Sequence, residues 1–207
     1  MNRVLGVVLI CVSVSPAIAQ TEAGGLLLGG TMGYNNNQIN YSGGFSGADQ
    51  KAYGLSISPN AAYFVAKGLA LGIAPSYSYA YQSYTSSPAN SSSHTISVGP
   101  IVRYYFTFSR CAIFPYVTYA YGWQTLHANS YTGFSYVQLE AKNNTNAFRA
   151  GVGGVFFLNS KVGVEGLLGY QKTTSSVSDY FAPSSTSGFG FNIGLQVYLN
   201  KKSEKTQ

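Results

Sequence analysis

The chain has little charge, little histidine, few cysteines and no long apolar run beyond its first residues. Charged side chains make up 9% of the 207 residues, whereas an ordinary soluble domain carries about 25%. This scarcity argues against a protein with a large hydrated surface. No later apolar run approaches the roughly 20 residues of a transmembrane helix. The 12 Lys and Arg residues form no basic stripe, so nucleic acid is not an expected partner.

Cysteine and histidine are too scarce for most kinds of reactive site. Cys11 lies in the first apolar segment, so a disulfide to Cys111 is not expected once that segment is removed. His94 and His127 show no metal-ligand spacing. A catalytic triad would need a histidine beside a nucleophile and an orienting carboxylate. The sequence therefore predicts no enzyme activity, no metal and no cofactor.

The first 19 residues have the three parts of a secretory signal peptide. A short basic start at 1–3 precedes an apolar segment at 4–14, and residues 17–19 supply the small side chains of a cleavage site. The apolar segment is too short to cross a membrane as a helix. We therefore expect residues 1–19 to be removed and the exported chain to begin at Gln20.

Tyrosine and glycine are abundant, and large and small side chains alternate. There are 18 Tyr and 24 Gly. The alternation is clearest at 188–200, where one set of alternate positions is apolar: Phe189, Phe191, Ile193, Leu195, Val197 and Leu199. Successive side chains of a strand point to opposite faces, so this strand would have one apolar face and one small or polar face.

The same pattern recurs along the chain and predicts eight strands. They are 25–34, 53–65, 69–82, 94–107, 112–126, 147–158, 162–172 and 188–200. Tight turns alternate with long polar segments rich in Ser, Asn, Gly and Thr, an asymmetry typical of outer-membrane barrels. Four prolines, Pro59, Pro75, Pro100 and Pro115, each remove a ladder donor. We expect bulges or local widening at these positions.

The polarity of the two faces favours a lipid-facing barrel. A lipocalin-like barrel is also eight-stranded, but its apolar residues point inward around a ligand. Turned that way, this chain would expose mostly Gly, Ala and Ser, which make a poor aqueous surface. A β-sandwich with one buried face is a soluble alternative that uses the same alternation. The predicted fold is all-β: an eight-stranded antiparallel up-and-down transmembrane β-barrel over residues 20–200, with a short periplasmic tail at 201–207.

With this predicted fold, the chain resembles the small bacterial outer-membrane β-barrel proteins, the OmpA-like or porin-family barrel domain. The resemblance covers residues 25–200. The most specific similarity is at the end, where Asn192, Gly194, Val197 and Leu199 match that family's C-terminal assembly signal. The resemblance implies a bacterial outer-membrane location, recognition by the barrel-assembly machinery, and contact with membrane lipid and lipopolysaccharide. The chain departs from the family by continuing past Leu199 instead of stopping at an aromatic residue.

Seven aromatic residues near the ends of predicted strands resemble the two aromatic girdles of such barrels. The outer girdle would hold Tyr34, Tyr81, Trp123 and Tyr170. The inner girdle would hold Tyr63, Tyr104 and Phe106.

Three charged residues fall on predicted inward faces: Arg103, Arg149 and Glu165. An isolated charge inside a barrel costs several kcal/mol, so these side chains should be paired or hydrated. Arg103 and Glu165 have opposite sign and lie near the lower ends of their strands. This predicts a luminal ion pair with a structural or a gating role.

The sequence constrains function less than fold. The leading interpretation is a non-enzymatic barrel with a structural or surface-interaction role and a lumen largely filled by side chains. A narrow porin is the first alternative. A lipid-binding or lipid-modifying barrel with a site at the loop rim is the second.

Overall fold

The computed structural model describes residues 21–39, 50–84, 89–131, 135–176 and 184–199. Within these ranges the chain is almost entirely β-strand. No helix among the described residues has the length and hydrophobicity needed to cross a membrane. The expected signal peptide at 1–19 and tail at 201–207 lie outside the described residues.

Eleven strand segments form one antiparallel sheet. They are β1 (Leu26–Ile39), β2 (Gln50–Ala66), β3 (Leu69–Ile73), β4 (Ser76–Tyr84), β5 (Asn90–Val98), β6 (Pro100–Tyr104), β7 (Phe106–Phe108), β8 (Cys111–Tyr131), β9 (Tyr136–Phe157), β10 (Val162–Ser175) and β11 (Ser184–Leu199). Several of the short segments continue one another along a single strand.

The eleven segments build eight barrel strands. Both β3 and β4 pair with β2, so they follow one another along one strand. In the same way β5, β6 and β7 all pair with β8. Each barrel strand lies beside its neighbours in sequence, and β1 pairs with both β2 and β11. The sheet therefore closes into the predicted antiparallel up-and-down barrel.

Several of the breaks within these strands lie at prolines. Pairing between β2 and its neighbour is interrupted where Pro59 and Pro75 lie, and β5 and β6 are separated just before Pro100. Proline has no N–H to donate to a ladder. Next to the second break, Gly99 lies so close to β8 that a Cβ there would collide with the backbone at Tyr119. At these three prolines the described ladder is interrupted without a change of register, so of the two expectations, bulges and local widening, the bulges are not formed.

Several strands extend beyond their predicted ends into the polar segments. Residues 127–146, predicted as a loop, are mostly strand, because β8 continues to Tyr131 and β9 begins at Tyr136. In the same way β1 continues to Ile39 and β2 begins at Gln50. Where a strand extends beyond the apolar belt, neither of its faces needs to be apolar. The alternation of apolar and polar residues that marks a strand in the sequence is therefore lost, although the backbone pairing between strands continues.

The two ends of the barrel differ. At one end, here called the turn end, strands are connected by short turns at 67–68, 109–110 and 158–161. Gly68 supplies the positive φ of +76° that the first of these turns requires. At the other end, here called the hairpin end, the strand pairs β1–β2 and β8–β9 form long hairpins.

The outer wall is an apolar belt that is exposed around the barrel. Its members include Leu55, Ile57, Leu71, Ile73, Val102, Val117, Val152, Leu168, Ile193 and Leu195. Their neighbours in sequence point inward and are small, polar or part of a buried cluster. An apolar belt around a polar interior is the pattern of a barrel that spans the outer membrane. The chain is an outer-membrane β-barrel.

Candidate functional site

The turn-end half of the lumen is filled by a buried cluster of large side chains, here called the plug. Its largest members are Leu27, Phe64, Tyr105, Phe114, Tyr116, Phe157, Leu167 and Tyr198. The rings contact one another: Tyr105 and Phe114 have centroids 4.5 Å apart, and those of Phe157 and Tyr198 are 5.2 Å apart. Close packing of this kind leaves little space for water.

The plug surrounds the ion pair Arg103–Glu165. Arg103 Nη1 donates to Glu165 Oε2 at 2.9 Å, and the two residues are 2% and 1% exposed. Arg103 Nη1 also donates to Tyr105 Oη at 3.2 Å, and Gln196 Nε2 donates to Glu165 Oε1 at 2.7 Å. The guanidinium lies 5.2 Å from the ring centroid of Phe114. Burial of two charges is tolerated when such additional hydrogen bonds accompany the pair.

Arg149, predicted as the third luminal charge, lies apart from this pair. A cavity of about 40 Å³ lies between them, lined by both Arg103 and Arg149. Toward the hairpin end Arg149 also borders larger polar cavities. Its side chain takes part in no ion pair within the described residues. The structure therefore separates a paired cation in the plug from an unpaired cation above it.

The hairpin-end half of the lumen is a polar cavity of about 450 Å³, here called the vestibule. Its lining is mainly hydroxyl and amide side chains, including Ser76, Ser93, Thr95, Gln124, Asn143 and Thr173. Such groups hydrogen-bond water or a polar ligand and carry no net charge. Among the described residues that line the vestibule, Arg149 is the one that carries a charge.

The aromatic residues assigned to the girdles lie on the outer wall. Six of them are exposed: Tyr34, Tyr63, Tyr104, Phe106, Trp123 and Tyr170. Tyr81 is half-buried, because its ring stacks on Tyr53 with centroids 5.1 Å apart. Their position on the outside is the one that contact with membrane interfaces requires.

The four residues of the assembly signal lie on β11, next to β1. Asn192 and Gly194 face the lumen, and Val197 and Leu199 face outward. A Cβ at Gly194 would collide with the carbonyl oxygen of Gly30 on β1. The glycine of this motif therefore permits close contact at the junction where the barrel closes.

The two histidines lie on the outer wall, away from the lumen. The ring centroids of His94 and His127 are 6.3 Å apart, and His94 Nδ1 lies 2.8 Å from the hydroxyl of Tyr77. Within the described residues no group of three His, Cys, Asp or Glu side chains could hold a metal ion.

Sequence reasoning missed the aromatic plug. Phe64, Tyr105, Phe114 and Tyr198 fall on the face that otherwise carries small residues, so they are out of phase with the outward stripe. Each lies near the turn end of its strand. A lumen largely filled by side chains was predicted, but only its turn-end half is filled. Large residues on the inward face near one end of several strands are the signal that would have indicated this division.

No family model matches the chain, and no curated protein matches it in sequence. Among solved structures, Neisserial surface protein A is 12% identical; the match covers 84% of this chain and 97% of that one, with a TM-score of 0.42. A major outer membrane protein from Thermus thermophilus is 12% identical, with 86% and 100% covered and a TM-score of 0.48. OprG from Pseudomonas aeruginosa is 10% identical, with 89% and 100% covered and a TM-score of 0.40. Membrane placement of this chain rests on its own apolar belt and lumen.

Proposed function

We propose that this outer-membrane β-barrel is non-enzymatic and does not conduct, and that it acts at the cell surface through its hairpin end. The observation that supports this proposal is the plug, in which aromatic rings surround the buried Arg103–Glu165 pair. A conducting pore needs a continuous hydrated path, and eight strands leave room only for side chains where these are large.

The hairpin end supplies the surface for interaction. The β8–β9 hairpin continues well beyond the last pair between β9 and β10, at Thr145 and Ser175. Its side chains are mostly polar and project from the belt. We expect this hairpin to contact outside partners.

Lipopolysaccharide is the expected lipid partner on the outer wall. Lys142 and Lys172 are exposed on the outward faces of β9 and β10, on the hairpin-end side of Phe148 and Tyr170 respectively. Ammonium groups at that level are suited to lipid phosphates. Recognition of the Asn192–Leu199 segment by the barrel-assembly machinery belongs to the same proposal.

Planar-bilayer recordings of the purified protein test the absence of conduction. The wild type should give no discrete openings, whereas Phe114→Ala combined with Tyr198→Ala should open a water path and give conductance steps. Tyr119→Ala, which removes an exposed ring from the outer wall, is the matched control and should stay closed. Regular conductance steps from the wild type would contradict the proposal and favour the narrow porin.

A further inference from the structure

The pairing between β1 and β11, as far as the chain is described, stops short of the hairpin end. Among the described residues, the ladder between these strands ends at Met32 and Ile193. Yet β1 continues to Ile39, paired with β2, and β11 already begins at Ser184, paired with β10. The side chain of Asn192 still lies against Gly33. Above it, residues 34–39 and 184–191 border a stretch of the described wall that has no ladder, here called the seam opening.

Two glycines on the β11 side keep this opening unobstructed. Gly188 and Gly190 face the lumen, and a Cβ added at either would meet no described atom within 4 Å. Lower in the same seam the glycines have a different role: a Cβ at Gly29 or Gly194 would collide with the neighbouring backbone. The close approach of the neighbouring backbone therefore explains why Gly29 and Gly194 are glycines. It does not explain why Gly188 and Gly190 are.

On the inside, the seam opening leads to Arg149. A cavity of about 400 Å³ is lined both by Arg149 and by residues of the opening, including Gly188 and Gly190. Arg149 pairs in register with Gln171, and Gln171 pairs with Gly188. Since neighbouring strands are about 4.8 Å apart, the backbone of Arg149 lies roughly 10 Å from the edge of the opening. Gln171 is the side chain between them.

On the outside, the opening meets an apolar groove of about 760 Å³ along β1, β2 and β11. Its lining includes Met32, Ile57, Pro59, Val164, Ile193 and Leu195. Tyr34 and Phe191 line both the groove and the inner cavity. The two spaces therefore adjoin each other at these two residues, with Arg149 bordering the inner one and an apolar surface lining the outer one.

We propose that the seam opening binds a single-chain amphiphile with an anionic head group. The head group pairs with Arg149 inside the lumen, and the chain leaves past Gly188 and Gly190 to lie in the outer groove. Charge complementarity selects the head group, because Arg149 has no counter-ion among the described residues. The apolar lining of the groove selects the chain.

Binding measurements with the barrel in phosphatidylcholine nanodiscs test this proposal. The probes are radiolabelled laurate, dodecanol, which has the chain without the charge, and acetate, which has the charge without the chain. The wild type should bind laurate saturably, at about one molecule per barrel, and should bind both acetate and dodecanol at least tenfold more weakly. Acetate binding as tight as that of laurate would overturn the role of the groove.

A matched pair of charge variants separates Arg149 from the general surface charge. Arg149→Gln should weaken laurate binding at least tenfold and leave dodecanol binding unchanged, while Arg149→Lys should retain most of the affinity. Lys51→Gln removes an exposed, outward-facing cation from β2 and should have no effect. Unchanged laurate binding in Arg149→Gln, or an equal loss in Lys51→Gln, would overturn the proposal.

A glycine variant tests the route. Gly190→Leu should fold normally, because the added side chain enters open space, and should reduce laurate binding at least tenfold by filling the opening. Gly154→Leu is the control, because Gly154 faces outward on β9 with its nearest atom 4.0 Å from an added Cβ. Heat-modified mobility in gels reports that both variants are folded. Folded Gly190→Leu that binds laurate like the wild type would contradict this route.

Discussion

The turn-end and hairpin-end halves of the lumen are built from the same eight strands but are filled in different ways. In the turn-end half, aromatic rings and a hydrogen-bonded ion pair occupy the interior. In the hairpin-end half, short hydroxyl and amide side chains line an open vestibule. Tight burial stabilises the first half, whereas the second half retains space and Arg149, which has no ion pair among the described residues. The comparison places tight packing and open space at opposite ends of one barrel.

The largest expected effect comes from breaking the ion pair in the plug. Arg103→Met leaves Glu165 buried without its cation and should destabilise the folded barrel by about 3–5 kcal/mol. Glu165→Gln should be similarly harmful, and the double variant should be less harmful than the sum of the two. Urea titrations in lipid vesicles provide the free energies.

An exposed pair near the hairpin end is the control for this cycle. Lys142 and Glu140 approach to 3.7 Å, with side chains 79% and 54% exposed. Exposed pairs of this kind contribute about 0–1 kcal/mol, so the cycle with Lys142→Met and Glu140→Gln should show little coupling. Equal coupling for the two pairs would remove the distinction between the halves.

A somewhat smaller effect is expected from placing a charge on the outer wall. Ile193→Arg puts a guanidinium into the apolar belt and should cost about 2–4 kcal/mol if the residue lies near the membrane midplane. Ser93→Arg points into the vestibule, where the added charge stays hydrated, and should cost much less. The same titrations measure both; equal costs would mean that the faces of the strands are assigned wrongly.

The smallest effect is expected from trimming the vestibule. Ser93→Ala and Thr173→Ala remove hydroxyl groups that border open space, so each should change stability by no more than about 0.5 kcal/mol. Phe114→Ala, within the plug, should cost about 3–5 kcal/mol. A large loss in the serine or threonine variants would show that the vestibule is packed.

The sequence was sufficient to predict the barrel because contact with lipid imposes period-2 alternation on every strand. It was insufficient at the hairpin end, where polar strand residues such as 136–146 lose that alternation and were predicted as a loop. The sequence pattern also did not predict that Arg149 lies apart from Arg103 and Glu165. Depth in a barrel depends on the register between strands, and register arises from pairing that a single strand's pattern does not reveal.

The sealed turn end and the open hairpin end are compared most directly by thiol labelling in a Cys111→Ser background. Ser93→Cys places a thiol in the vestibule, and Ala62→Cys places one within the plug, where Ala62 is 3% exposed. A membrane-impermeant maleimide should label the first at least a hundredfold faster than the second in the folded, membrane-inserted barrel. Similar labelling rates at the two positions would mean that water passes the plug, which would contradict the account.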